Sequence, residues 1–160
     1  MIRFFGGRVM TLANGIETQD IEVWTEGSKI VFVGKPKAEE LDGKVFEREY
    51  DLKGNLLMPS FKNAHTHSAM TFLRSYADDM PLQDWLFKQI FPMEAKLDGE
   101  KVYWLTKLAI LEYLTTGCTA AFDMYFELDD YVKACIESGF RSVLCGAVSG
   151  DKSNLERLEN

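Results

Sequence analysis

The stretch EKVYWLTKLAILEYLTTGCTAAFDMYF (100–126) sets a helical apolar stripe directly before an apolar strand. Val102, Leu105, Leu108, Ala109, Leu111 and Leu114 recur at three- and four-residue steps, which predicts a helix. Gly117 stands where a helix ends on a left-handed residue. CTAAFDMYF (118–126) has the pattern of a buried strand, and the alternation then repeats. LDDYVKACIESG (128–139) reads as a helix stopped by Gly139, RSVLCGAV (141–148) as a strand, and SNLERLEN (153–160) as the opening of a third helix. Upstream, LLMPSFKNAHTH (56–67) is a short apolar strand and residues 81–97 carry helical spacing. Repeated strand–helix units leave few arrangements. Parallel strands need long crossovers, so the strands run parallel and the helices pack outside them. The expected fold class is α/β, with about three βα units.

Residues 1–55 follow a different pattern. IEVWTEGSKIVFVG (21–34) alternates Ile21, Val23 and then Ile30, Phe32 around Glu26-Gly27-Ser28-Lys29, a hairpin in which Gly27 supplies a positive φ. RVMTL (8–12) and KVFEREYDL (44–52) read as further strands, KPKAEELDGK (35–44) as a charged connector and KGN (53–55) as a turn. The expected organisation is therefore a small β unit over 1–55 and βα units over 56–160.

Composition narrows the function. The chain is 46% hydrophobic over 160 residues, enough for a packed core. Its net charge of −7 argues against nucleic acid and against an anionic membrane surface. MIRFFGGRVMTLANG (1–15) breaks its apolar residues with two arginines and Gly6-Gly7, unlike a signal peptide, and no run is long enough to span a bilayer. A cytoplasmic location is the expectation. Cys118, Cys135 and Cys145 are odd in number and form no CxxC pair, which fits reduced core thiols.

The chain holds two histidines, His65 and His67. On a strand, side chains two apart share a face, so both imidazoles can address one ion. Zinc in a hydrolytic site takes three protein ligands at about 2.0–2.1 Å and keeps a position for water. Taken by itself, the spacing also fits two neighbouring histidines with no common ligand. The context favours metal: the pair ends an apolar strand after Pro59 and precedes a polar loop, as at the C-terminal mouth of a parallel barrel.

The stretch LLMPSFKNAHTHSAMTFLRSYADDMPLQDWLFKQIFPMEAKL (56–97), together with EYLTTGCTAAFDMYF (112–126), resembles the amidohydrolase superfamily. The resemblance is to its aminohydrolase and chlorohydrolase branch, which includes the methylthioadenosine/S-adenosylhomocysteine deaminases. It implies the N-terminal part of a (β/α)8 TIM-type barrel, preceded by strands of a small β-sandwich. It implies His65 and His67 as ligands of one divalent metal, zinc first and iron as the alternative. It also implies Glu94, in FPME, as a substrate-binding glutamate that meets ribose hydroxyls in the nucleoside deaminases. Trp85 is a pocket wall or a core residue. Asp123 is a support for the ligands or a structural hydrogen-bond partner. Arg74 and Asp78 at i,i+4 spacing read as a surface pair, and Asp79 and Asp84 as caps or solvated charges.

The implied activity is hydrolytic deamination of a purine nucleoside or related N-heterocycle by a metal-activated water, in an enzyme that is a homo-oligomer when full length. A chlorohydrolase, a guanine- or cytosine-type deaminase, a non-catalytic paralogue and a short structural α/β protein are the alternatives. The sequence departs from the resemblance in three places. Ser60 and Lys62 stand where a glycine and an aliphatic residue are more usual. Cys145 and Gly146 occupy a stretch where nucleoside deaminases carry an arginine for an acidic substrate tail, which puts S-adenosylhomocysteine in doubt. The remaining ligands and the proton-moving groups are expected beyond Asn160, so no catalytic acid or base is assigned within the chain. A barrel needs ~250 residues. The expectation is therefore a truncated chain, catalytically silent by itself.

Overall fold

A computed structural model describes residues 1–13 and 15–146. The helix expected over 153–160 and the last two residues of the strand expected over 141–148 lie outside the described residues. Two compact units follow one another, Met1–Pro59 and a second that begins at Ser60.

The first unit holds two sheets. Strands β1 (Ile2–Phe5), β4 (Glu22–Glu26), β5 (Lys29–Gly34) and β6 (Arg48–Asp51) form one in the order β5-β4-β1-β6. Strands β2 (Arg8–Thr11), β3 (Glu17–Gln19) and β7 (Leu56–Leu57) form the other in the order β3-β2-β7. A single helical turn, α1 (Ala38–Leu41), sits in the charged connector. The expected hairpin is β4–β5, antiparallel, with Gly27 at φ 56°. Arg3 of β1 joins Glu22 of β4 through two 2.7 Å hydrogen bonds and Glu49 of β6 through one of 2.9 Å, holding the Glu22 carboxyl below its usual range.

The second unit contains the parallel strands β8 (Phe61–Thr66), β9 (Cys118–Tyr125) and β10 (Arg141–Gly146), ordered β10-β9-β8. A 3₁₀ helix (Ser68–Leu73) follows β8. Next comes a helical run of α2 (Leu82–Asp84), a π-helical turn (Trp85–Ile90) and α3 (Phe91–Glu94). Helices α4 (Gly99–Thr115) and α5 (Leu128–Ser138) are the crossovers' main elements. The Asp98 carboxylate caps α4 by accepting from the Lys101 amide at 3.0 Å, and Gly139 at φ 63° ends α5.

Two expectations change. The apolar run 56–67 is two strands in two sheets: β7 pairs with β2, whereas β8 pairs with β9. Pro59 lies in the gap between them, where its missing N–H suits a break in pairing. In α4, the residues buried against the rest of the unit are Val102, Thr106, Ala109 and Ile110, while Leu108, Leu111 and Leu114 are exposed. The helix is apolar on two sides, and residue spacing alone did not say which side is covered.

The sheet has unlike faces. Ala121, Asp123 and Tyr125 of β9 are buried on the face that carries α4 and α5. Register sets three rows on the other face. Lys62, Ala120 and Arg141 lie in the first, Phe122 and Val143 in the next, and Met124 and Cys145 in the last, because partners in a parallel ladder share a face. Cys118 and Cys135 are core residues as expected, and burial pushes the Cys135 thiol up to about 11. Cys145 is half-buried instead, because it lies on the uncovered face.

Candidate functional site

The histidines sit where the β8–β9 ladder is irregular. Register shifts between Asn63 and Thr66, and the Asn63 side-chain oxygen accepts the His65 amide at 3.2 Å. Such an irregularity re-aims side chains at the end of a strand. The two imidazoles come together, ring centroids 5.1 Å apart and 79° between planes. His67 Nδ1 lies 2.8 Å from the Met124 carbonyl oxygen. A carbonyl only accepts, so Nδ1 carries the proton and Nε2 keeps its lone pair outward. This suits His67 to ligate through Nε2. Among the described residues no third His, Cys, Asp or Glu completes a group that could hold a metal, so the donor set present fits two positions of a site.

A cavity of about 270 Å³ opens beside His67, lined also by Met70, Trp85, Ile90, Phe91, Glu94, the β9 end Met124–Tyr125 and Phe126 just after it. The structure thus brings His67, Glu94 and Trp85 to one cavity. The π-helical turn carries Trp85, and α3 carries Glu94. Glu94 is half-buried. Burial pushes its carboxyl above the ordinary range, while a 2.9 Å hydrogen bond from the Tyr125 hydroxyl pulls it back. Burial first, and the Glu94 charge next, hold the Tyr125 hydroxyl protonated. Tyr125 therefore donates and Glu94 accepts, leaving the second carboxylate oxygen for a ligand.

Beneath the histidines Asp123 is fully buried. Its carboxylate accepts from the Ser68 amide at 3.1 and 3.3 Å, from the Ser68 hydroxyl and from the Tyr131 hydroxyl at 2.5 Å. Tyr113 reaches both Ser68 Oγ at 2.9 Å and Thr66 Oγ1 at 2.5 Å. The chain on either side of His67 is thereby tied to β9, α4 and α5. Sequence reading missed Tyr125, Ser68, Tyr113 and Tyr131, because within apolar patterns a tyrosine counts as core and its hydroxyl is invisible to periodicity.

Other candidates fall elsewhere. Arg74 pairs with Glu112 of α4 at 2.7 Å rather than with Asp78. The i,i+4 rule needs a helix, and the chain leaves one at Arg74 (ψ 127°), with Ser75 and Asp79 at positive φ. Asp84 pairs with Lys88 at 2.7 Å, and Asp79 borders an open cleft with Asp78 and Trp85.

Residues 56–160 match the profile of the Amidohydrolase family. The chain belongs to this family. Among amidohydrolase relatives, it is 43% identical over 136 residues to a 5-methylthioadenosine/S-adenosylhomocysteine deaminase from Desulfitobacterium hafniense, covering 85% of this chain and 31% of the relative. It is 52% identical over 108 residues to a 5'-deoxyadenosine deaminase from Methanospirillum hungatei, covering 66% and 24%. The crystal structure of an adenosine deaminase from Xanthomonas campestris with bound zinc superposes with a TM-score of 0.82 at 33% identity, over 89% of this chain and 33% of that one. The chain thus spans about a third or less of the length of these amidohydrolases.

Proposed function

We propose that the whole protein is a metal-dependent hydrolase that deaminates purine nucleosides, and that this chain supplies the first strands of its (β/α)8 barrel after the strands of a small β-sandwich. The observation that carries this reading is the single cavity onto which His67, Glu94 and Trp85 open, with His65 beside it. The names of the relatives support the substrate class, since 5-methylthioadenosine, S-adenosylhomocysteine, 5'-deoxyadenosine and adenosine share the adenine riboside.

In this reading His65 and His67 hold a divalent ion, zinc before iron, because imidazole suits both. The bound ion supplies the Lewis acidity that makes water nucleophilic near neutral pH. The Met124 carbonyl fixes the His67 ring through the Nδ1 proton, so that Nε2 faces the ion. Glu94, steadied by the Tyr125 hydroxyl, accepts the ribose hydroxyls. Trp85, Phe91 and Met70 exclude water around the substrate. The groups that move protons to the departing ammonia come from the rest of the protein.

The test is ammonia release by the whole protein supplied with adenosine, 5'-deoxyadenosine, 5-methylthioadenosine, S-adenosylhomocysteine and guanine. Turnover of the ribosides, lost with bound metal in His67→Ala and weakened in KM by Glu94→Ala, is the expected result. Turnover of guanine alone, with Glu94→Ala silent, overturns the nucleoside reading.

A further inference from the structure

The uncovered sheet face is graded along the strands. Its C-terminal row lies beside His67, its middle row is apolar, and its N-terminal row carries two cations. Register places Lys62 of β8 and Arg141 of β10 on either side of Ala120 of β9. Two interstrand spacings put their backbones about 10 Å apart. Both residues are exposed, and among the described residues neither makes an ion pair. Among the described residues the Lys62 ammonium meets neutral oxygens alone: Ser60 Oγ at 2.7 Å, Thr119 Oγ1 at 3.0 Å and the Ser60 carbonyl at 3.3 Å. These contacts hold the charge in place without neutralising it. Ala120 contributes only a methyl group between the cations, which leaves room for an incoming side chain.

We propose that this row is an anion-docking layer whose occupant is one or more Asp or Glu carboxylates from the part of the same protein outside this chain. The inference rests on the barrel reading above. Two features argue for that occupant. Inside a barrel, each layer is filled by side chains from alternate strands. β8 and β10 are alternate strands, so the groups that face Lys62 and Arg141 belong to strands outside this chain, which spans 31% of the Desulfitobacterium relative. A barrel interior is also dry, and burying unpaired cations there is strongly unfavourable unless carboxylates meet them with good geometry. The layer lies at the opposite end of the strands from the histidines, so it acts on assembly of the barrel and not on the substrate.

The experiment is thermal unfolding of the whole metal-loaded protein, wild type against Lys62→Met, Lys62→Arg and Lys62→Glu, from pH 7 to pH 3. Lys62→Met is expected to lower Tm by several degrees at pH 7. The deficit should shrink below about pH 4, where protonation of the partner carboxylate removes the pairing from the wild type as well. Among the described residues, the groups facing Lys62 from adjoining elements are the neutral Ser60, Thr119 and Ala120, with the Arg141 guanidinium beyond, and none is a carboxylate. A pH-independent deficit would mean lost hydrogen bonds to Ser60 and Thr119 only, and overturns the proposal. So does a Lys62→Met protein as stable as wild type at pH 7. If Lys62→Met fails to fold, a folded Lys62→Arg with near wild-type Tm and a still worse Lys62→Glu support it, and an equally unfolded Lys62→Arg overturns it. A wild-type Tm that climbs with phosphate, with the response lost in Lys62→Met, replaces the carboxylate by a free anion and overturns the named occupant. Ammonia release is measured alongside: nucleoside turnover with an indifferent Lys62 defeats this inference alone, whereas absent turnover defeats the deaminase reading.

Discussion

The two faces of the β8-β9-β10 sheet are built from the same strands under opposite conditions. On the helix side, every second residue of β9 from Ala121 to Tyr125 is buried, and the one charged group, Asp123, has its hydrogen bonds supplied by Ser68 and Tyr131. On the other side Phe122 and Val143 remain 48% and 59% exposed, and the cations Lys62 and Arg141 face no carboxylate among the described residues. A polar group in the finished face is locked by its partners. A polar group in the open face records what partner it still requires.

The sharpest way to break the contrast is Asp123→Ala. It strands the Ser68 amide and two hydroxyls in a dry core, and the expected loss is about 3–5 kcal/mol in urea unfolding of the whole protein. A loss below about 1 kcal/mol would mean that the covered face is not held by this carboxylate. Phe122→Ala comes next. If the barrel closes over the open face, truncation costs about 3 kcal/mol; a change within about 0.5 kcal/mol, as for a surface residue, would leave that face bare in the whole protein. Tyr125→Phe should raise KM for adenine ribosides about tenfold with kcat little changed, as expected for one hydrogen bond to a charged group. A fall in kcat with KM unchanged would mean instead that Tyr125 acts in the transition state and not in riboside binding. The smallest effect is in pH dependence. Burial raises the Glu94 carboxyl, so riboside binding that needs its charge weakens as pH falls, starting above the ordinary carboxylate range near 4.3. Tyr125→Phe removes a group that lowers it and should move that limb higher still. A limb unmoved by the substitution would separate Glu94 from the titration.

Much of this contrast was readable in the residues, and what was not has identifiable causes. The α/β alternation, the β-rich start, Gly27 and Gly139 as positive-φ positions, and the proximity of His65 and His67 follow from local rules of period and turn chemistry. The covered side of α4 was not readable, since Leu108 and Leu111 repeat as regularly as Val102 and Ala109. Nor was the strand break at Pro59, because a two-residue strand such as β7 has no period of its own. The site itself was half legible. Residue types announced the imidazoles, but the Met124 carbonyl and the Tyr125 hydroxyl become visible only once β9 lies beside β8.

The hydrogen bond from His67 to Met124 closes 57 residues of chain, and that from Ser68 to Asp123 closes 55. Loops of this length lose entropy before any contact offsets it, so such pairings are expected to form late, once α4 and β9 have docked. In the proposed reading the histidines would then be aimed by a folded scaffold before any ion binds, unlike small zinc modules in which binding and folding are one event. The order of events has a kinetic signature. A chelator present during refolding should leave the refolding rate unchanged and alter only the metal content of the product.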